Sequence, residues 1–595
     1  MTVVSNSLVV ARSVDDLNDQ TCVLIDPHQT ALRGQGVLFD LPLQTTVVPN
    51  LSFGSPTATF VNATPRTVLD FEGLIKPVLS GEVRFKGARR VENLLIPVSS
   101  GDFSGWIGVT TPSGTTSGNT ITFTGAGNDW RFSQNITVTS GEEFTVSFTT
   151  GQGTKTGTIQ FRDATGNTSL DETITLLATP TRYSFTVTAT SSGNATIGFD
   201  NRVSSGGDGI AGSIICDNAQ IENVTGQANQ NPSEVVSVGV LSSPFHGAMV
   251  DGVLYAKTAN ANTVSSNIVT DNNPGAAFDA TDSFNDADGP FGYLGESQSQ
   301  NLALHNRTWQ DIVWSATTMT VSDNSEVGAD GRTRAATLTA TAGNATLIQD
   351  LGVIGSTANS WGMYIKRKTG TGDIDLTLDG GSTWTTVTTT AAFTRVQTGQ
   401  TLANPDIGIR IVTSADAVIV DFGQAEASTF LSSTIPETGA TPVTRNIDEL
   451  SYLSAGNILD AQGTAHAEIS SVWSSHTPTA MVLARGVTGR ILYSENNEPS
   501  NQIRAFDGAN ITTSPVGTSF QNAPQSVAST WGDSLTAYIN GDPDATPAAY
   551  DGTMGTGAIG VLHTNAGTFA FDGTIRFIQI FSRELNSSQV GALPR

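Results

Sequence analysis

The chain has 595 residues, of which 38% are hydrophobic and only 14% are charged, whereas about 25% of residues are charged in an average globular protein. Domains usually span roughly 100–200 residues, so this length predicts about three to five domains, and the 61 glycines favour many short strands joined by tight turns. The formal net charge of −25 provides no basic surface for phosphates, which excludes DNA or RNA binding from the functions that we expect.

Prolines interrupt every short apolar run of residues 1–90, which we predict to be an irregular N-terminal attachment region. Proline breaks helices, so its spacing here excludes long helices and leaves short strands and extended arms. The prolines are Pro27, Pro42, Pro49, Pro56, Pro65 and Pro77. We expect residues 1–90 to bind neighbouring proteins of a larger assembly.

From residue 91 onward, apolar and polar residues alternate. Phe144, Val146 and Phe148 illustrate this period of two, which predicts strands with one buried face. Such strands recur about every ten residues with Gly, Asn and Ser between them, as is typical of two-sheet sandwiches. We therefore predict a first β-sandwich at 91–225.

The same layout then returns, which indicates an internal duplication. Two motifs of the first copy recur 208 residues later, and three residues of a later strand recur after 204 residues. The matched positions are Asn93-Leu94 with Asn301-Leu302, Trp106 with Trp314, Asp217 with Asp421, Gln220 with Gln424, and Glu222 with Glu426. We predict a second β-sandwich at 301–450, separated from the first by a β-rich connector at 226–300.

Residues 451–595 again carry the alternating pattern and are predicted to form a third sandwich. Strands are expected in MVLARG, GRILYSE, SLTAYINGD and GTIRFIQIF, and one helical turn in the closing NSSQVGALP. The predicted fold class is therefore all-β, with tandem antiparallel β-sandwiches following an irregular N-terminal segment.

The repeated unit resembles the carbohydrate-binding-module-like jelly rolls of phage tail and virion proteins. An opening Asn-Leu, a Trp, a Gly/Ala-Gln-x-Glu strand end, an Ile-Pro and a Val-Thr-Arg carry the resemblance. In the second copy these are Asn301-Leu302, Trp314, Gly423-Gln424-Ala425-Glu426, Ile435-Pro436 and Val443-Thr444-Arg445. The first copy lacks the Ile-Pro and Thr-Arg ending. The resemblance implies a virion location and is poorly specific for a ligand.

The C-terminal part resembles concanavalin A-like (laminin G-like) lectin sandwiches. The residues that carry this resemblance are Trp531, the strand and turn Leu535-Thr536-Ala537-Tyr538-Ile539-Asn540-Gly541, Gly573-Thr574-Ile575-Arg576-Phe577 and Phe581-Ser582-Arg583-Glu584-Leu585. It implies a lectin-like fold without showing that a sugar site is active, and no calcium-ligand spacing maps onto the nearby acids.

Sugar binding on a β-sandwich relies on exposed aromatic rings with hydrogen-bonding side chains beside them. Trp130 and Trp384 lie beside turns, where exposure is easier, and Trp361 and Trp473 complete our candidate glycan-binding residues. The recurring Trp106 and Trp314, and also Trp531, are assigned to packing. Filling a core is the common alternative for any one of these rings.

Catalytic and metal sites are not predicted. The six histidines show no zinc spacing, Cys22 and Cys216 are interpreted as buried free thiols, and no cofactor is expected. The acid-rich loop 279–289 is interpreted as a solvated turn, with Ca²⁺ as the alternative. The start of the chain shows no secretory signal, and no window approaches the roughly 18 apolar residues of a membrane span.

The sequence supports three hypotheses for the function. The leading hypothesis is a tail-fibre, tail-tip or head-fibre protein on the surface of a phage particle, which binds host glycans and forms a homo-oligomer, by analogy a trimer. A capsid decoration protein without a glycan ligand is the second hypothesis. A glycan depolymerase is the third, because paired carboxylates cannot be judged without geometry; we expect no enzyme.

Overall fold

The computed structural model of the chain is all-β. It describes residues 58–95, 106–108, 115–123, 131–227, 291–472, 480–494 and 501–593, with short gaps inside these ranges, and the short segments 8–9, 24–25, 36–43, 239–246 and 262–270. The helical elements among the described residues are the α-helix Ser587–Gly591, where one turn was predicted, and the 3₁₀ turn Val203–Ser205. The predicted all-β class of antiparallel sandwiches is confirmed.

The first sandwich consists of two five-stranded antiparallel sheets. Phe144, Val146 and Phe148 point inward and are buried, as their alternation predicts, and Trp106 is buried in the same core. In hydrogen-bonded order, one sheet contains Thr115–Ser117, Thr120–Phe123, Gly212–Asn223, Glu143–Gln152 and Thr181–Thr188. The other contains Asp171–Thr175, Thr158–Asp163, Gly193–Asp200, Arg131–Val138 and Ile107–Gly108.

The second sandwich repeats this topology strand for strand, which confirms the internal duplication. Its first sheet contains Met319–Val327, Thr333–Ala340, Ala417–Glu426, Thr357–Thr369 and Thr394–Leu402. Its second sheet contains Thr385–Val387, Ile374–Thr377, Asp406–Ile411, Ala345–Asp350 and Ser315–Thr317.

The repeated asparagines perform the same structural role in both copies. Asn93 donates to the carbonyl of Ala219 and accepts from the amides of Leu95 and Ile221, at 2.9, 3.2 and 3.1 Å. Asn301 likewise donates to Gly423. It accepts from the amides of Ala303 and Ala425 in the same pattern, at 3.1 and 3.0 Å. Each asparagine therefore fastens the start of its sandwich to the last long strand.

The strand that ends in Gly/Ala-Gln-x-Glu carries a bulge at the same place in both copies. The extra residue of each bulge lies between Asp217 and Gln220 in the first copy and between Asp421 and Gln424 in the second. Within these stretches Asn218 and Phe422 have a left-handed backbone, with φ of 52° and 46°. Close packing explains why the second copy has a glycine at position 423. A Cβ on Gly423 would lie 2.8 Å from Trp309 and 3.1 Å from Trp361.

The third sandwich draws its strands from three separate parts of the chain. Its larger sheet contains Asp542–Pro543, Thr536–Ile539, Gln525–Trp531, Gly463–Ser471, Gly573–Phe581, Gly292–Gly295 and Phe85–Lys86, and Val37–Leu41 also pairs with Gly573–Phe581. Its smaller sheet contains Thr59–Val61, Glu449–Tyr452, Ile559–Val561, Ala480–Arg485, Gly489–Ser494, Arg504–Phe506 and Ile511–Thr513.

These pairings differ from the domain boundaries expected at 90, 300 and 450. Strands of the predicted attachment region and of the predicted connector belong to the third sandwich, where Phe39, Leu41, Phe85 and Tyr293 are buried in its core. The reason is physical, because a strand pairs with whichever edge buries its apolar face, and sequence distance does not limit that choice. An attachment role for residues 1–90 stays a prediction.

Short two-stranded sheets complete the described structure. Their pairs are Leu8–Val9 with Leu24–Ile25, Arg66–Leu69 with Ile75–Val78, Arg89–Asn93 with Gly239–His246, Asn262–Ser265 with Ile268–Thr270, and Ser299–Asn301 with Val443–Arg445.

A buried ion cluster holds the N-terminal strands against the rest of the chain. We define it as Arg66, Arg84, Glu296, Arg445 and Asp448, whose side chains are all buried. Arg84 and Arg445 bind Glu296 at 2.8 and 2.9 Å, and Arg66 and Arg84 both contact Asp448. Since buried charges are stable only when paired, the cluster fixes how these segments meet.

Candidate functional site

The four predicted tryptophans occupy different environments. Trp130 and Trp473 lie outside the described residues. Trp361 is fully buried, and its Nε1 donates to the carbonyl of Gly408 at 3.0 Å. Its strand, Thr357–Thr369, pairs with a neighbour on each side and turns this residue into the core between the two sheets. The expected exposure of Trp361 is therefore wrong, and only Trp384 among the described candidates offers part of its ring to solvent.

The tryptophans assigned to packing are buried as predicted. Trp106 and Trp314 lie at equivalent places in the first two cores, and Trp531 is buried in the third. Trp314 packs against Trp309 and Trp361 with ring centroids 4.7 and 5.9 Å away.

Trp384 lies on the outer face of the second sandwich beside a charged pair. The guanidinium carbon of Arg410 is 4.5 Å from the indole centroid. Arg410 donates through Nε and Nη2 to one oxygen of Asp375 at 2.9 and 2.7 Å. The hydroxyl of Thr386 donates to the other oxygen of Asp375 at 2.7 Å. We call Trp384, Arg410, Asp375 and Thr386 the Trp384 face.

Strand register explains why these residues meet. Arg410 pairs with Asp375, and Asp375 pairs with Thr386, so the three side chains form one row across neighbouring strands. Ile409 and Ile411, on either side of Arg410, are buried, which turns the arginine to the opposite face. Sequence reasoning missed Arg410 and Asp375, although a charge between alternating buried isoleucines was a usable signal.

A tight turn returns Trp384 to the sheet. Gly380 and Gly381 have φ of 66° and 92°, and Asp379 accepts from the amide of Thr383 at 2.8 Å. Partial burial opposes ionisation, but hydrogen bonds from Thr383 and Thr377 lower the pKa of Asp379 to about 2. A Cβ on Gly381 would lie 2.8 Å from the indole, so the turn has room only for glycine at this position.

The equivalent surface of the first sandwich has different chemistry. By strand register, Gln160, Thr173 and Asp200 correspond to Asp375, Thr386 and Arg410. There, Gln160 bonds Asp171 and Thr173 at 2.6 and 2.7 Å, and Arg202 binds Asp200 at 2.8 and 3.0 Å.

The exposed Asp171 occupies the place of Trp384. The duplication therefore provides an aromatic platform in the second copy and an acidic position in the first.

A polar cleft lies between the second and third sandwiches and has a volume of about 580 Å³. Ser297 donates through its hydroxyl to Asp572 at 2.9 Å, and Gln300 donates to Thr444 at 3.1 Å. The residues of this polar cleft are Ser297, Gln298, Ser299, Gln300, Leu302, Thr357, Ala358, Glu426, Ala427, Ser428, Thr429, Phe430, Thr444 and Asp572.

A second cavity, of about 520 Å³, lies where the hairpin Arg66–Leu69 and Ile75–Val78 meets the first two sandwiches. Arg332 binds Glu142 across it at 3.4 Å, and Arg307 binds Asp330 at 2.8 Å. The pair of Arg332 and Glu142 therefore joins the second sandwich to the first, whereas Arg307 and Asp330 both belong to the second.

Two histidines and one cysteine of the described residues are buried and hydrogen-bonded. His466 contacts the hydroxyl of Ser526 at 2.9 Å, and His563 contacts the carbonyl of Leu450 at 3.0 Å. Burial raises the pKa of the Cys216 thiol to about 12, which leaves it unreactive at neutral pH. Cys22 lies outside the described residues.

The described part of the chain contains no group of three or more His, Cys, Asp or Glu side chains that could hold a metal ion. The acid-rich loop 279–289 lies outside that part, so its interpretation as a solvated turn stays a prediction. No helix of the described residues has the length and apolar character needed to cross a membrane.

No protein-family model and no curated protein matches the chain. Among solved structures, it is similar to a Trypanosoma rangeli sialidase in complex with a difluoro-KDN compound, at 15% identity and a TM-score of 0.20. That similarity covers 24% of this chain and 25% of the sialidase, so the chain spans about a quarter of its length.

Two bacterial structures are similar at the same level. Domain 4 of AbnA, an extracellular arabinanase of Geobacillus stearothermophilus in complex with arabinotriose, has 13% identity and a TM-score of 0.19, covering 25% of this chain and 73% of that domain. The CBM22 tandem domain of Paenibacillus barcinonensis Xyn10C has 12% identity and a TM-score of 0.16, covering 61% and 98%. TM-scores of this size decide neither fold nor function.

Proposed function

We propose that the chain is a non-catalytic, structural and adhesive protein of a bacteriophage particle, and that it binds a host-surface glycan through the Trp384 face. The observation that carries the proposal is a partly exposed indole beside a guanidinium that a buried carboxylate, Asp375, holds in place. Sugars present apolar C–H patches and hydroxyl groups together, and this surface offers a partner to each.

The hydrogen-bonding groups of the Trp384 face are already oriented. Asp375 uses one oxygen to hold Arg410 and the other to hold Thr386, so the guanidinium is fixed before a ligand arrives. Arginine has five N–H donors, and those not used by Asp375 remain for sugar hydroxyls. Orientation before binding lowers the entropy cost of association, which favours useful affinity from a small contact area.

The particle location is supported by architecture and by the motif resemblance. Antiparallel sandwiches in series give a stiff body with recognition on its surface, and repeated copies would turn weak sugar binding into avidity. The proposal includes attachment through residues 1–90 and a homo-oligomer, a trimer by analogy with fibres. Mass photometry of the purified chain tests the trimer directly.

Replacing Trp384 with alanine tests the glycan site. On an array of bacterial surface polysaccharides, we expect the variant to lose at least tenfold in affinity for at least one glycan that the native chain binds. The matched control is Asp171→Ala, the equivalent position of the first sandwich, which should bind as the native chain does. Equal loss in both variants, or none in Trp384→Ala, contradicts the assignment.

Location and catalysis need separate experiments. Cryo-electron microscopy of particles released from cells that carry the gene should show the chain on the particle surface. Incubation of the purified chain with each bound polysaccharide should release no new reducing ends. Sustained release would replace the proposal of simple binding with that of a depolymerase.

A further inference from the structure

The polar cleft between the second and third sandwiches has the size of a ligand site. Its volume of about 580 Å³ falls within the roughly 300–1,000 Å³ that is usual for small-molecule pockets. Strand ends of the second sandwich contribute Thr357 and Glu426, and the third sandwich contributes Asp572. The cleft therefore forms only where the two sandwiches meet.

Its charge excludes an anionic ligand. None of its lining residues is Lys, Arg or His, whereas Glu426 and Asp572 are carboxylates. Glu426 already accepts from the amide and hydroxyl of Ser432, both at 2.8 Å, and Asp572 accepts from Ser297 at 2.9 Å. These bonds hold the carboxylates in place and leave the site negative, so a uronic acid or a phosphate would be repelled.

Its remaining polar groups suit a ligand that both donates and accepts hydrogen bonds. Hydroxyl and amide side chains do both, and the cleft contains eight of them: Ser297, Gln298, Ser299, Gln300, Thr357, Ser428, Thr429 and Thr444. The half-buried ring of Phe430 adds an aromatic surface. Alternating hydroxyls and an apolar C–H face are the features of an uncharged sugar.

We infer that the polar cleft is a second carbohydrate site, distinct from the Trp384 face, and that it takes a neutral glycan. The site requires both the second and the third sandwich. Either sandwich alone would present only part of the lining.

The test uses the full chain and isothermal titration with neutral hexose oligosaccharides and the matching uronic-acid oligosaccharides. Ala358→Trp places a bulky side chain in the cleft, and Trp384→Ala removes the other platform. We expect Ala358→Trp to weaken binding of a neutral oligosaccharide at least tenfold, while Trp384→Ala retains this binding component. The uronic-acid series should bind the cleft at least tenfold more weakly than the neutral series.

Each result separates the two sites. If Trp384→Ala abolishes all binding, or no neutral oligosaccharide binds the native chain at millimolar concentration, the cleft site is overturned. If Ala358→Trp abolishes all binding and Trp384→Ala none, the cleft stands and the Trp384 face fails. Should Ala358→Trp not fold, the exposed pair Gln298→Ala and Thr429→Ala replaces it, with the same expected weakening, and unchanged binding overturns the site.

Discussion

At the scale of single residues, Glu296 connects two segments that are far apart in the chain. It accepts from the guanidinium groups of Arg84 and Arg445 at 2.8 and 2.9 Å, and all three side chains are buried. Burial opposes its ionisation, but Arg445 and Arg84 lower the pKa of Glu296 to about 2 from the ordinary 4.5. The carboxylate therefore stays charged across the whole physiological range.

Glu296→Gln should destabilise the chain by about 3–5 kcal/mol, because it leaves buried arginines without their counter-charge. Urea unfolding at neutral pH measures the change. The matched control is Glu326→Gln in the half-exposed pair with Lys368, where a loss of at most about 1 kcal/mol is expected. Similar losses of unfolding free energy in both variants would show that the buried ion cluster stabilises the chain no more than an exposed ion pair does.

The lowered pKa of Glu296 also predicts a pH dependence. A depressed folded-state pKa contributes stability that is present above pH 4.5 and is lost as the pH falls towards 2. This contribution amounts to roughly 3 kcal/mol at neutral pH. Unfolding free energies at pH 6 and pH 3 should therefore differ more in the native chain than in Glu296→Gln, and equal differences would contradict the shift.

At the scale of elements, the duplicated asparagines provide a paired experiment. Asn301→Ala removes the side-chain amide that binds one backbone carbonyl and the side-chain oxygen that binds two backbone amides. Each buried backbone group left without a hydrogen-bond partner costs about 1–3 kcal/mol. We expect a loss of at least about 2 kcal/mol, and the same for Asn93→Ala, by urea unfolding. Thr317→Ala on an exposed strand is the control, expected within about 0.5 kcal/mol.

Periodicity explains which elements were predictable from the sequence. The alternation of Phe144, Val146 and Phe148 predicts one strand with one buried face. The structure has this strand at Glu143–Gln152 with the three apolar side chains in the core, but Thr145 and Ser147 on its other face are buried as well. Trp361 was assigned wrongly because a shift of one residue in strand register moves a side chain from one face of the sheet to the other. The polar residues around Trp361 did not indicate which face its ring would occupy. Part of the Trp384 face could be predicted, since the sequence places Trp384 beside a recognisable turn. The contribution of Arg410 could not be predicted, because it depends on the pairing register between neighbouring strands.

At the scale of the whole molecule, the third sandwich depends on residues far from its own end of the chain. The N-terminal segments and residues 292–295 place apolar side chains in its core, namely Phe39, Leu41, Leu43, Val68, Val78, Val83, Phe85, Tyr293 and Leu294. A local sequence pattern cannot predict which strands pair across such distances. The pairing between Val37–Leu41 and Gly573–Phe581 depends on the burial of their apolar side chains in the complete core. The predicted boundaries at 90, 300 and 450 differ from the structure for this reason.

A fragment of residues 451–595 should therefore not fold by itself. This fragment lacks the nine core side chains named above. Each removes about 1.5–3 kcal/mol of burial, so the total loss is roughly 14–27 kcal/mol and exceeds the roughly 5–15 kcal/mol by which a whole domain is stable. Circular dichroism and amide NMR dispersion measure the outcome. Residues 297–445, whose core lies entirely within the second sandwich, are the control and should fold cooperatively. A cooperatively folded 451–595 fragment contradicts this dependence.

The pairing of Val37–Leu41 with Gly573–Phe581 also determines when the third sandwich can form during translation. The first of these strands leaves the ribosome about 540 residues before its partner, which at about 5–20 residues per second is a delay of roughly half a minute to two minutes. During that interval the first two sandwiches have all their strands and can close, whereas Phe39 and Leu41 must wait without their final neighbours. A holdase that shields this short apolar stretch during translation would raise the yield of native chain.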